Sequence, residues 1–138
     1  MTPPVLYISA VMTRVAVGIL HKNGKILACQ RKKGSRYALK WEFPGGKLEP
    51  GETVAQCLER ELKEELSIRI GPIERTEVRS WQYDDGGLFE VAYCHIKEFT
   101  GEPVNHVFEN IRWVSPEELG TLDVLEGNKD IVRRIAGA

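Results

Sequence analysis

GGKLEPGETVAQCLERELKEELSI, from Gly45 to Ile68, packs six carboxylates into one short stretch. Its first half cannot be helical, because Gly45, Gly46, Pro50 and Gly51 interrupt any regular pattern. Its second half changes period. Ala55, Leu58, Leu62 and Leu66 recur at three- and four-residue spacing, which predicts an amphipathic helix with that stripe buried. Thr53 suits the N-cap, and Gln56 stands where it would complete a capping box. Glu61, Glu64 and Glu65 then share one helical surface, with facing Cβ atoms about 5–6 Å apart. Glu61 and Glu65 border the apolar stripe.

A solvated acidic face would explain these residues, since each like-charge pair costs only about 0.2–0.5 kcal/mol. The loop before the helix supports a different reading. Gly45 and Gly46 allow close backbone approach. Glu52, next to the cap, can accept from loop or helix-terminal N–H groups. A rigid loop folded onto an acidic helix gathers hard oxygen ligands, which suit Mg²⁺ or Mn²⁺. No His or Cys accompanies the acids at zinc-like spacing. Such a cation bridges carboxylates to phosphate oxygens, so the chemistry implied is hydrolysis of a phosphoanhydride.

Outward from this stretch the chain reads as strands. Arg14–Leu20 and Ile26–Arg31 flank a turn at Asn23-Gly24. A basic loop follows, with Lys32, Lys33, Arg36 and Lys40 able to meet a triphosphate tail or only solvent. WEFPGG is short and extended. After the helix, IRI reads as a strand. RTEVRSWQY and LFEVAYCHIKEF read as an antiparallel hairpin around DDGG, and ENIRWV as a short strand. Trp81, Tyr83 and Tyr93 fit core or sheet-face positions. Ser115-Pro116 opens a short helix, and NKDIVRRIAGA a terminal one. VLYISAV, at 5–11, could form a further strand. The order predicts one α/β domain over residues 1–138, a sandwich with a mixed sheet.

Composition sets limits. The formal charge is −1, from 19 basic and 20 acidic residues, which argues against non-specific nucleic-acid binding. Cys29, Cys57 and Cys94 are odd in number, form no CxxC, and lie in apolar segments, so buried free thiols are expected. No run reaches the roughly 18 apolar residues of a membrane span, and the first residues lack a signal-peptide pattern. A reducing cytoplasmic setting is expected by default. His21, His95 and His106 form no metal pattern and are given no catalytic work.

Gly46, Glu52, Arg60, Glu61, Leu62, Glu64, Glu65 and Ile68 resemble, in identity and spacing, the signature box of the Nudix hydrolase family. The one clear departure is Ser67, where the family usually has glycine and the backbone can require positive φ. The resemblance implies an α/β/α sandwich and cleavage of a nucleoside diphosphate linked to another group. It implies that Glu61, Glu64 and Glu65 hold the divalent ions, with the Gly45 carbonyl as a further ligand, and that Arg60 and Glu52 form a supporting pair. WEFPGGK, Trp41–Lys47, is similar to the MutT-like branch, the 8-oxo-dGTP diphosphatases. These release a monophosphate and pyrophosphate after water attacks the β-phosphorus.

That branch suggests substrate contacts at Arg31, Phe43, Lys47 and Asn128. An amide at Asn128 could match a purine edge, or simply cap the last helix. Relatives often carry another glutamate ligand where this chain has Val107; Glu109, one strand alternation away, is the substitute. The function expected is Mg²⁺- or Mn²⁺-dependent hydrolysis of an oxidised or non-standard nucleoside triphosphate. Triphosphorylated RNA 5′ ends, other nucleoside-diphosphate compounds and a non-catalytic nucleotide-binding module are the alternatives. Neither the base nor the oligomeric state follows from the sequence.

Overall fold

A computed structural model describes residues 12–84 and 86–137. The stretch VLYISAV lies outside them. Nine strands are present among these residues: β1 (Thr13–Lys22), β2 (Lys25–Gln30), β3 (Trp41–Glu42), β4 (Gly45–Lys47), β5 (Arg69–Ile70), β6 (Ile73–Gln82), β7 (Leu88–Ile96), β8 (Phe99–Thr100) and β9 (Asn110–Val114). Three α-helices accompany them: α1 (Val54–Leu66), α2 (Pro116–Leu119) and α3 (Lys129–Gly137). A 3₁₀ turn at Glu126–Asn128 leads into α3.

Seven strands form one mixed sheet. Its path runs β3-β2-β1-β7-β6, with β4 added to β1 and β9 to β2. β1 and β7 pair in parallel along their lengths, from Thr13 opposite Phe89 to Leu20 opposite Ile96. All other strand-to-strand pairings are antiparallel. The β1–β2 turn is where the sequence places it, with Asn23 at φ 54° and Gly24 at φ 75°.

Strand alternation divides the core in two. Ala16, Leu20, Leu27, Cys29, Ala92, Cys94 and Ile96 face α1 and pack on Leu58, Leu62 and Leu66. Ile19, Ile26, Ala28, Tyr93 and Val114 face the other way, onto Leu119, Val124, Ile131 and Val132. The result is the expected α/β/α sandwich. No helix among the described residues is long and apolar enough to cross a membrane. All three cysteines are buried and free.

α1 has the expected capping box: Gln56 N–H donates to Thr53 Oγ1 at 3.1 Å, and Thr53 N–H to Gln56 Oε1 at 3.0 Å. Its apolar stripe differs by one member. Ala55 is exposed, and Cys57 is buried instead, its thiol donating to the Gly46 and Lys47 carbonyls. The first turn thus packs under β4, at the edge of the sheet. The helix ends at Ser67, which sits at φ 57°, the left-handed conformation expected there. β8 is not evident in the sequence. LFEVAYCHIKEF reads as one strand, but β7 stops at Ile96, and Phe99-Thr100 pairs separately with β5.

A polar network, buried at His95 and exposed where it reaches the helix, ties α3 to the sheet. His21 Nε2 lies 2.9 Å from His95 Nδ1, and their rings stack. His95 Nε2 lies 2.8 Å from Glu77 Oε2. Glu77 also receives Arg134, and Arg79 donates to Asp130, both from α3. Burial pushes both imidazoles below 6.5. Burial alone would raise Glu77, but the His95 hydrogen bond and the Arg134 charge bring it below 4.5.

Both shifts act in one direction. Each folded group binds its proton less readily than the unfolded chain does, so stability is lost as pH falls. The histidine contribution starts to fade near 6.5, and that of Glu77 below 4.5. The urea midpoint is expected to fall between pH 7.5 and 5.5, and to fall less in His21→Asn. A flat profile would show that the network does not titrate with folding.

Candidate active site

The face of the sheet opposite α1 carries a cavity of about 370 Å³. Alternation lines its floor in register. Val15 stands opposite Val91, and Val91 opposite Arg79; Val17 stands opposite Tyr93, and Phe89 opposite Trp81. Phe43, Tyr37 and Tyr83 extend the aromatic wall. Phe43 meets Tyr93 edge-on, and Tyr83 meets both Trp81 and Phe89 edge-on. Gly127 has no Cβ for a reason: one would lie 2.7 Å from Tyr83 Oη.

Gly45, Gly46, Lys47 and Glu65 border the same cavity. β4 brings the first three there by pairing with β1, Gly45 opposite Val17 and Lys47 opposite Val15, and α1 supplies Glu65. Close approach demands glycine at Gly45, and at Gly46 leaves the room that the Glu61 carboxyl occupies. A Cβ on Gly45 would stand 2.1 Å from the Ala16 carbonyl oxygen, and one on Gly46 would stand 2.5 Å from Glu61 Cδ. The loop therefore lies directly on the acidic helix.

Arg60 organises that junction. Its guanidinium donates to both oxygens of Glu52, at 2.7 and 2.9 Å, to Glu61 Oε1 at 2.8 Å and to the Lys47 carbonyl at 3.2 Å. Glu52 also accepts from the Glu49 N–H at 2.9 Å. The Arg60 hydrogen bonds hold the Glu52 carboxyl down to about 2. Glu65 behaves oppositely. Burial, then the neighbouring Glu61, raises its carboxyl well above the usual range, although the Gly45 N–H donates to it at 3.2 Å. Glu64 is exposed and lies 3.8 Å from Arg60.

Glu61 and Glu65 are thus a crowded acidic pair beside a backbone loop, with Glu64 one turn from Arg60. Among the described residues, no three His, Cys, Asp or Glu side chains already converge on one metal position. The donor chemistry still fits a hard divalent cation: the donors are oxygens, and a cation would offset the burial and then the like-charge repulsion that raise Glu65.

The other anticipated residues divide. Arg31, Phe43, Lys47 and Asn128 all line the cavity. Arg31 is partly committed, donating to Glu42 at 3.2 Å and to the Arg36 carbonyl at 2.7 Å. Asn128 is buried, and its Oδ1 accepts from Tyr93 Oη at 2.6 Å, so its oxygen serves Tyr93 and not a helix N-terminus. Glu109 is not among the lining residues, and its Oε1 accepts from the Lys33 N–H at 3.2 Å. Of the basic loop, Arg36 reaches the cavity, while Lys40 pairs with Asp123.

Trp81 stands on the sheet face, as read, and is 40% exposed; that it and Tyr83 form a cavity wall was missed. Glu42 was missed too. It lines the cavity with its carboxyl raised by burial, against the opposing pull of Arg31.

Residues 12–135 match the family model described as NUDIX domain. The chain belongs to the Nudix family. It is 40% identical over 108 residues to a CTP pyrophosphohydrolase of Escherichia coli, covering 78% of each chain. It is 32% identical over 123 residues to an 8-oxo-dGTP diphosphatase of Haemophilus influenzae, covering 88% of this chain and 90% of that one. The crystal structure of a MutT protein from Bacillus halodurans superposes with a TM-score of 0.77 at 23% identity, over 92% of this chain and 84% of that one. This Nudix protein is a hydrolase of the MutT type.

Proposed function

We propose that the chain hydrolyses an oxidised or otherwise non-standard nucleoside triphosphate to a nucleoside monophosphate and pyrophosphate, with Mg²⁺ or Mn²⁺ as cofactor. One observation carries this reading. A single cavity joins an aromatic wall and an amide, suited to a base, with the glycine loop and Glu65 of the acidic helix, suited to phosphates and a cation. The names of the two relatives agree with the reaction class but differ in base.

Glu61, Glu64, Glu65 and the Gly45 carbonyl would hold the cation, with Glu109 as a candidate further ligand. When bound, it polarises phosphoryl oxygens and makes bound water more acidic. The chain's own residues do the rest. Phe43 and Trp81 offer faces and edges for a base. Lys47 and Arg31 place positive charge along the cavity for the phosphate chain. Arg60, fixed by Glu52, holds the Glu61 carboxylate and the loop together, so its role is positioning.

The test is a product-resolved assay. The panel contains normal and oxidised triphosphates, CTP, nucleotide sugars and triphosphorylated RNA. Monophosphate and pyrophosphate are expected from one preferred triphosphate, with turnover lost on chelation and restored by Mg²⁺. Preference for RNA or a nucleotide sugar would overturn the substrate reading. No turnover, with nucleotide binding retained, would favour a binding module.

A further inference from the structure

Tyr93 is the buried residue that gives Asn128 its direction. Its ring is almost wholly buried on β7, and its hydroxyl lies 2.6 Å from Asn128 Oδ1 and 3.3 Å from the Gly127 carbonyl. A phenol has one proton to donate. A separation of 2.6 Å is that of an O–H···O bond, and is short for N–H···O. The hydroxyl therefore donates to the amide oxygen, and the longer Gly127 contact is secondary. This fixes which end of the amide is oxygen.

The amide nitrogen is then left over. It makes no hydrogen bond to a described residue, yet no fully occluded side-chain nitrogen or oxygen among those residues lacks a partner. Asn128 lines the cavity, so its N–H groups are open to that space. The cavity presents a donor at this point, and a group docked there must accept.

We propose that Tyr93 is a specificity-positioning residue: by locking the Asn128 amide as a donor, it makes the cavity favour bases with a keto oxygen over bases with an amino group at the same ring position. The proposal rests on the nucleotide reading above. An amino group facing the locked amide would set donor against donor and leave both desolvated. Such a mismatch discriminates about tenfold or more. If the amide were reversed, with its nitrogen donating to Tyr93 and Tyr93 donating to Gly127, the preference would reverse as well.

Two substrate pairs isolate the effect: inosine against adenosine triphosphate, and uridine against cytidine triphosphate. Each pair exchanges keto for amino at one position, and with it the adjacent ring nitrogen from donor to acceptor, so the change of the ratio in Tyr93→Phe is what reads the lock. In the parent chain the keto member is expected to have the higher kcat/KM, by about tenfold. Tyr93→Phe removes only the hydroxyl and frees the amide to turn, so the ratio should collapse towards one. The ratio is taken within one preparation, so a partly unfolded variant lowers both rates and leaves it unmoved. Asn128→Asp supplies acceptors alone and should move the ratio towards the amino member.

Calorimetric binding of the four monophosphates without metal gives the same comparison independently of turnover. If no triphosphate is hydrolysed but the binding ratio holds, the functional reading fails and the lock stands. A parent preference for the amino members, or a ratio unchanged in Tyr93→Phe, overturns the lock.

Discussion

Glu64→Gln is expected to lower Mg²⁺-dependent turnover by about 100-fold while leaving the unfolding midpoint almost unchanged. The two halves of this expectation have different causes. Glu64 is 61% exposed, and its ion pair with Arg60 is 3.8 Å long. Exposed pairs of this kind contribute about 0–1 kcal/mol, so the fold has little to lose. Glutamine also keeps the length and helix propensity of the side chain. What it removes is charge, at a position proposed to hold a cation. A solvated acidic face would predict the opposite, because neutralising one of three neighbouring carboxylates slightly relieves repulsion. Turnover and urea unfolding, measured on one preparation, separate the two. Unchanged kcat in the folded variant would remove Glu64 from the ligand set.

Much of the molecule was legible because its local signals agree with its tertiary structure. The capping box, the stripe of Leu58, Leu62 and Leu66, and the Asn23-Gly24 turn are short-range features, and each forms where its residues stand. The left-handed backbone at Ser67 was legible from one departure in an otherwise regular box. The cavity was harder. Trp81, Phe89, Val91 and Tyr93 alternate within their strands, which shows that they share faces. Alternation cannot show that α2 and α3 leave part of that face uncovered, because this depends on where distant segments return. For the same reason Glu42 looked like a residue between two others, until β3 placed it beside Arg31. β8 was hidden by its length: two residues carry no period, and only pairing with β5 defines them. The Tyr93–Asn128 hydrogen bond joins residues 35 apart in sequence, and neither residue's type foretells the other.

Gly45→Ala and Gly46→Ala are expected to fail in different ways, although they change adjacent residues identically. At Gly45 the backbone lies at φ 152°, where L side chains are rarely found, and a Cβ would stand 2.1 Å from the Ala16 oxygen and 2.6 Å from Val17 Cα. Those are atoms of β1, which is pinned by parallel pairing with β7 along its other edge. The clash can be relieved only by parting β4 from β1, so a loss of about 3 kcal/mol or more is expected. At Gly46 the obstruction is the carboxyl end of Glu61, which lies 2.5 Å from the same imagined atom. A side-chain end can swing aside, so the fold should survive at a cost of about 1 kcal/mol. The swing would draw Glu61 from its place beside Arg60 and Glu65. Misplacing a catalytic group by about 1 Å can cost 100-fold in rate, so turnover should fall by roughly that factor. Urea unfolding and kcat on both variants decide the matter. Gly46→Ala with full activity would mean that Glu61 need not stand where the loop now holds it. Gly45→Ala with parental stability would mean that β4 can leave β1 without unfolding the sheet.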